Sequence, residues 1–342
     1  MLCSVFEDSD GQPRQRIRAA WSAAVTHEEW PGRRPEEAVA WLNARAREPL
    51  PLTTGPLIRV HLVSLSEAEH YGVVVVHHIV FDGSSWLPLW STILEAYGAL
   101  SVGAAPQPTA CEATYQEFVD WEQRLLRSEE AAEHRAYWLR QLGGRLGLLE
   151  LPSDRPRLNE AMAGRTIRCT LDSAVHAAIK RECRALAVTP AVYLLSLYQL
   201  LLNRYTGEPD VMAGMPSMGR PQARFANTVG YFINMIAVRT RIDAAKSFAE
   251  LVRAVNATVA NGVDHGMYPF PTVVRDLNAP RGRAPIFQCI YSYVNASLFE
   301  RSGGSWHGLG PLRVEPVEAI GRDVHFNDYE LELEVRERAD SY

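Results

Sequence analysis

Polar and apolar positions along the chain alternate between a strand rhythm and a helix rhythm, with clear punctuation. LCSVFEDSDGQPRQRI, directly after Met1, alternates like a hairpin folded at Asp10-Gly11. Glu36 to Arg47 has helical periodicity ending before Pro49, and Leu57 to Leu65 alternates as a half-buried strand. Tyr71 to Trp86, YGVVVVHHIVFDGSSW, is an apolar run that stops in a polar cluster. Its consecutive valines are β-branched, and an uninterrupted apolar run suits a strand covered on both faces, so a central strand is expected. Asp82-Gly83 supplies turn chemistry, and Ser84-Ser85 is placed to cap the amphipathic run Trp86, Leu89, Trp90, Ile93, Leu94, Tyr97. Helices follow at Tyr115, Phe118, Val119, Trp121, Leu125 and at Tyr137, Trp138, Leu142, which read as core stripes, since no nucleotide-binding glycine pattern accompanies them.

The second half reads as strand Arg165 to Leu171, helix Ser173 to Ala187, and an apolar helix opened by Thr189-Pro190 and closed by Gly207. Strands are expected at Asp210 to Met215, Tyr231 to Ile242, Ile286 to Val294 and Tyr329 to Val335, and helices at Phe248 to Val263 and Phe270 to Leu277. Ser302 to Leu309 reads as a connector. Gly143-Gly144, Pro152, Pro156 and Gly164 break both rhythms, which puts a domain boundary there: 1–150, a linker over 151–164, and 165–342.

Composition narrows the function classes. The chain has 342 residues, 47% of them hydrophobic, enough for two cores. A formal charge of −5 gives no footprint for nucleic acid. No apolar run reaches the roughly 18 residues that a membrane helix needs, and the amino terminus lacks a signal pattern, so no membrane association and a cytoplasmic location are expected. Cys3, Cys111, Cys169, Cys183 and Cys289 are scattered, form no CxxC pair and read as reduced, mostly packed thiols; no metal site is expected.

The chemistry concentrates where the valine strand ends. Histidine exchanges a proton near neutral pH. Successive strand residues face opposite sides, so of His77 and His78 one is expected to work and the other to pack. Asp82 is too close beyond a sharp turn to hold a ring directly and is expected to pair with a cation. Gly83, lacking Cβ, would permit the turn and a close approach of substrate. His265, before Tyr268-Pro269-Phe270, reads as a structural helix-entry residue.

HHIVFDG resembles the HHxxxDG signature of condensation domains of nonribosomal peptide synthetases, relatives of chloramphenicol acetyltransferase. Further blocks follow in that family's order: MPSMGRP (Met215 to Pro221), VGYFINMIAVR (Val229 to Arg239), DHGMYPFPTVVRDL (Asp264 to Leu277) and APIFQCIYSYV (Ala284 to Val294). The resemblance covers nearly the whole chain. It implies an α/β fold of two chloramphenicol-acetyltransferase-like lobes, a V-shaped pseudo-dimer around a tunnel, with Leu312 to Ile320 crossing back to the first lobe. Tyr329-Glu330-Leu331 stands where relatives have Phe-Asp-Leu. Both ends are shorter than in the family, with the first elements of the amino-terminal lobe and the last of the carboxy-terminal lobe missing.

The activity implied is amide formation between a donor acyl or peptidyl thioester and the α-amine of an acceptor aminoacyl thioester. No cofactor is bound directly; substrates arrive on 4'-phosphopantetheine arms. Donor and acceptor peptidyl carrier proteins and adenylation domains of the same assembly line are the expected partners, and the domain is expected to be monomeric. His78 is expected to be the catalytic group, with His77 as packing partner and Gly83 at the turn. Asp82 is expected to form a salt bridge with Arg220. Tyr231, Asn234 and Gln288, in matched blocks, are tunnel candidates as well as core candidates. Ester formation or epimerisation at the same site is an alternative, and a non-catalytic docking domain is another.

Overall fold

The computed structural model describes residues 1–18, 24–107, 111–144, 149–152, 163–279, 286–295, 312–315, 317, 325–326 and 329–342. The amino-terminal alternation becomes a hairpin in which β1 (Ser4–Ser9) and β2 (Gln12–Ile17) pair antiparallel across Asp10-Gly11. Then come β3 (Ala24–Glu29), α1 (Pro35–Ala46), β4 (Ile58–Ser64) and β5 (His70–Val76). The sheet order is β3-β4-β5, with β3 parallel and β5 antiparallel to β4. Ala38 and Leu42 of α1 form a small core with Val63 and Leu65. The sequence pattern did not signal β3, because AVTHEE is polar and mostly exposed and is ordered by main-chain pairing with β4.

The valine run is therefore not the central strand that was expected. β4 holds that place, and among the described residues β5 pairs with β4 alone. Its valines are half-buried. A β-branched run reports strand preference, and the number of neighbours is decided by the sheet.

Beyond the corner at 77–85 lie α2 (Trp86–Ser101), α3 (Tyr115–Leu126) and α4 (Glu129–Leu142), where periodicity predicts them. β6 (Ala163–Gly164) leads into an exposed segment rather than the strand expected at Arg165 to Leu171. Ile167 is 87% exposed, so the apolar alternation there covers no core, and among the described residues only Leu171 of this segment exchanges main-chain hydrogen bonds, with Tyr342.

α5 (Ser173–Leu186) and α6 (Pro190–Thr206) follow. Thr189 Oγ1 accepts from the Val192 N–H at 3.3 Å, Pro190 occupies a first-turn position where no donor is needed, and Gly207 ends the helix at φ 74°, a left-handed conformation open to glycine. Next are β7 (Asp210–Ser217), β8 (Asn234–Arg241), α7 (Phe248–Asp264), α8 (Phe270–Asp276), β9 (Cys289–Asn295), β10 (His325–Phe326) and β11 (Leu331–Glu337). They form a sheet in the order β11-β9-β7-β8 and a short β6–β10 pair.

The chain gathers into two compact units, neither continuous in sequence. One comprises Met1–Val119, Gln222–Phe232 and Ser305–Val324, the other Asp120–Pro221, Ile233–Gly304 and His325–Tyr342. Leu195, Leu202, Val211, Ile236, Val252 and Tyr291 are among the fully buried residues at the core of the second. Of the expected linker, residues 153–162 lie outside the described residues, as does the Ser302 to Leu309 connector. Of the expected crossing segment, residues 312–315 and 317 are described.

Candidate active site

β5 ends at Val76, and the His77 N–H donates to the Leu57 carbonyl at 2.9 Å, fixing where the chain leaves the sheet. His77 then caps a short 3-10 turn, His78–Val80, and its Nδ1 accepts from the Ile79 N–H at 3.1 Å. Burial, and after it the neighbouring His78, lowers the His77 pKa below the ordinary histidine value, which keeps the ring neutral and able to accept. The two histidines are separated by this turn. Strand alternation plays no part, because both lie beyond β5. Val80 and Phe81 anchor the turn in a core with Leu57, and the Phe81 ring meets Trp86 edge-on at 4.8 Å. His78 is left exposed.

Asp82 is 1% exposed and acts as the cap of the next turn, Gly83–Ser85. Its Oδ1 accepts from the Ser85 N–H at 2.9 Å and the Ser85 hydroxyl at 2.8 Å. Ser85 was expected to cap α2 with its side chain, and it makes no such bond. Its hydroxyl is engaged elsewhere: besides Asp82, it lies 2.9 Å from the Gly230 carbonyl and accepts from the Gly230 N–H at 3.0 Å. Having one proton, it donates to Asp82 or to Gly230 at any moment. Asp82 Oδ2 accepts from the Phe232 N–H at 3.0 Å. Gly83 has no left-handed φ, and a Cβ there would meet nothing within 4 Å, so the turn does not require glycine. What glycine leaves is open space beside the corner.

Gly230 and Phe232 are neighbours of the corner that the sequence pattern did not single out. Gly230 is required by close approach, since a Cβ would stand 2.3 Å from the Tyr115 ring. The Tyr115 hydroxyl donates to the Tyr231 carbonyl at 2.6 Å, and the Phe232 ring packs against Tyr115 and Phe118. Held in this way, residues 230–232 stay out of the sheet, and β8 starts at Asn234 rather than at Tyr231 as expected. The Tyr231 ring is 37% exposed and meets the His78 ring edge-on, centroids 5.4 Å apart. Burial, and after it the Asp82 charge, raises the Tyr231 phenol pKa, so the phenol stays neutral.

His77, His78, Asp82, Gly83 and Tyr231 thus belong to one unit, while Arg220, Asn234 and Gln288 belong to the other. Arg220 is half-buried and follows β7. Asn234 has a framework role: its amide donates to the Gly266 and Tyr268 carbonyls at 2.7 and 2.8 Å, and its Oδ1 accepts from the Phe270 N–H at 2.8 Å. Gln288 is buried, and its Oε1 accepts from the Leu149 N–H at 2.9 Å. His265 sits at the exit of α7 rather than at a helix entry, its Nδ1 2.8 Å from Nδ1 of His134 and its ring stacked on Tyr137. Among the described residues no group of three or more His, Cys, Asp or Glu stands ready to hold a metal ion, and no single helix is long and apolar enough to cross a membrane. Cys183 and Cys289 are packed, whereas Cys111 and Cys169 are exposed.

Residues 1–341 match the family model of the Condensation domain. Polyketide synthase PksN of Bacillus subtilis (strain 168) is 37% identical over 341 residues, 99% of this chain and 6% of its own length. Bacitracin synthase 1 of Bacillus licheniformis is 30% identical over 260 residues, 75% of this chain and 5% of its own length. The chain therefore spans a small fraction of these relatives. Among solved structures, the X-domain from teicoplanin biosynthesis is similar with a TM-score of 0.87 and 25% identity, over 99% of this chain and 76% of that one. That X-domain has also been solved in complex with OxyB. The first condensation domain of the CDA synthetase shares the fold, with a TM-score of 0.67 and 24% identity over 86% of this chain and 69% of that one.

Proposed function

The chain belongs to the condensation-domain family and has its mixed α/β, chloramphenicol-acetyltransferase-like fold, and on that premise we propose that it forms amide bonds. The donor is an acyl or peptidyl thioester, the nucleophile is the α-amine of an acceptor aminoacyl thioester, and both ride on phosphopantetheine arms of carrier proteins loaded by adenylation domains in the cytoplasm. The observation that carries this reading is the exposed His78 imidazole on a corner where His77, Asp82 and Ser85 are held by hydrogen bonds.

An α-amine with a pKa of about 7.7 to 8.0 is already partly unprotonated at neutral pH, so it needs placement more than activation. Its nitrogen attacks the thioester carbonyl carbon, and the C–N bond forms as the carbonyl π electrons move to oxygen. The now cationic nitrogen gives its proton to the imidazole. As the carbonyl re-forms, the C–S bond breaks and the departing sulfur recovers that proton. Proton transfer to a positioned base contributes about 10²- to 10⁴-fold, and orientation of the reactants contributes more. Asp82 enters this proposal as the residue that fixes the corner, and Gly83 as the gap beside it.

The test is product formation from carrier-loaded donor and acceptor, followed by mass spectrometry. His78→Ala should lose about 10²-fold or more while keeping its melting temperature. Undiminished turnover by that variant would remove His78 from the mechanism. A second reading, a docking domain without chemistry of its own, is favoured by the similarity to an X-domain that forms a complex with another protein. It gains if the wild-type chain yields no product.

A further inference from the structure

Three consecutive residues beside the His78 corner are each held by their main chain. The Gly230 N–H donates to Ser85, the Tyr231 carbonyl accepts from Tyr115, and the Phe232 N–H donates to Asp82, at 3.0, 2.6 and 3.0 Å. Ser85 and Asp82, two of the three anchors, are fully buried, and Phe232 is itself 2% exposed within an aromatic cluster. Within this segment the one exposed side chain is that of Tyr231. Its ring contacts the His78 ring at an interplanar angle of 70°. Such an arrangement immobilises a main chain in order to present a side chain.

An exposed ring left to itself changes rotamer in picoseconds to nanoseconds. An edge-to-face aromatic neighbour favours one orientation over the others. We infer that Tyr231 is a positioning residue, setting the plane in which His78 presents its imidazole, and that Ser85, Asp82 and Tyr115 hold Tyr231 in place to do so. This rests on the reading of His78 as the proton acceptor, and it assigns the 230–232 segment a part in that step. A misplacement of about 1 Å in a group that must meet a reacting nitrogen can cost about 10²-fold in rate.

The experiment uses the intact chain labelled with isotopic histidine, and the His78 ring signals are assigned by their loss in His78→Gln. In the parent these protons carry a ring-current shift from Tyr231. Tyr231→Ala should abolish the shift and Tyr231→Phe should retain it, while Tyr115→Phe, which releases the Tyr231 carbonyl, should diminish it. With carrier-loaded substrates, Tyr231→Ala should lower kcat about ten- to a hundredfold with a smaller change in KM, and Tyr231→Phe should recover most of that loss. His78 shifts in Tyr231→Ala equal to those of the parent, or a parental kcat in that variant, would overturn the inference. A parent chain that makes no product removes the amide-forming reading, and the ring shifts alone then decide whether Tyr231 orients His78.

Discussion

Replacing Asp82 tests whether the corner is held by acceptor atoms or by charge. The carboxylate is 1% exposed and accepts from the Ser85 N–H, the Ser85 hydroxyl and the Phe232 N–H. In Asp82→Ala two of these donors have somewhere to go. The Ser85 N–H also points at the main-chain carbonyl of residue 82, at 3.1 Å, and the Ser85 hydroxyl can turn to the Gly230 carbonyl, at 2.9 Å. The Phe232 N–H loses its acceptor inside packed protein. An unmet buried donor costs about 1–3 kcal/mol, and loss of hydrogen bonds to a charged group about as much again, so about 2–6 kcal/mol is expected for Asp82→Ala.

Asp82→Asn separates the two explanations. With its oxygen towards the Phe232 N–H, asparagine keeps that acceptor without charge, while its amide nitrogen, in the place of Oδ1, can donate to the Ser85 hydroxyl and leaves the Ser85 N–H to the main-chain carbonyl of residue 82. Its cost should be about 1 kcal/mol. If the charge itself is what matters, asparagine should be nearly as damaging as alanine. Urea unfolding at unchanged m-value gives the size of the loss. Because a chain with two compact units need not unfold in one step, protection of the Phe232 amide from hydrogen exchange supplies the local reading. An alanine variant with parental stability and a protected Phe232 amide would refute the corner's dependence on this carboxylate.

Asn234→Ala should cost about 1.5–4.5 kcal/mol, since three hydrogen bonds to the loop between α7 and α8 disappear together, and a denaturation midpoint equal to the parent's would contradict its framework role. The histidine pair His134–His265 predicts a pH effect of definite sign. Their Nδ1 atoms lie 2.8 Å apart, and burial, then the neighbouring His134, lowers the His265 pKa, so His265 takes up a proton less readily in the folded state than in the unfolded chain. Stability from this site is complete above about pH 6.5, the ordinary histidine value, and is lost as pH falls from there towards the lower folded value. Melting curves from pH 7.5 to 5 should show a shallower decline in His265→Asn than in the parent, and equal slopes would exclude this residue as a source.

Much of the local structure was legible because it rests on residues that act on their own backbone. Thr189-Pro190 and Gly207 bracket α6 through a cap, a fixed φ and a left-handed turn, all properties of single residues. Helical periodicity located α2, α3, α4, α5 and α7 as well, since a helix with one face against a core repeats its apolar residues at helical spacing. Where neighbours decide, reading failed. The polar β3 is a strand by virtue of its pairing with β4, and the apolar alternation over 165–171 is not a strand because, among the described residues, no sheet edge receives it. Ser85 looked like a helix cap, and it became a bridge to Gly230 because Asp82 already caps that turn.

What the amino-acid sequence determined by itself was the chemical content of the corner, HHIVFDG between a β-branched run and an amphipathic helix, and the order of motif blocks that marks the family. Only the tertiary structure decided what holds that corner: main-chain groups of Gly230 and Phe232, 145 and 150 residues away from Ser85 and Asp82. Every residue but proline carries the same N–H, so a main-chain donor leaves no trace in side-chain identity, and which one reaches a buried carboxylate is settled by packing.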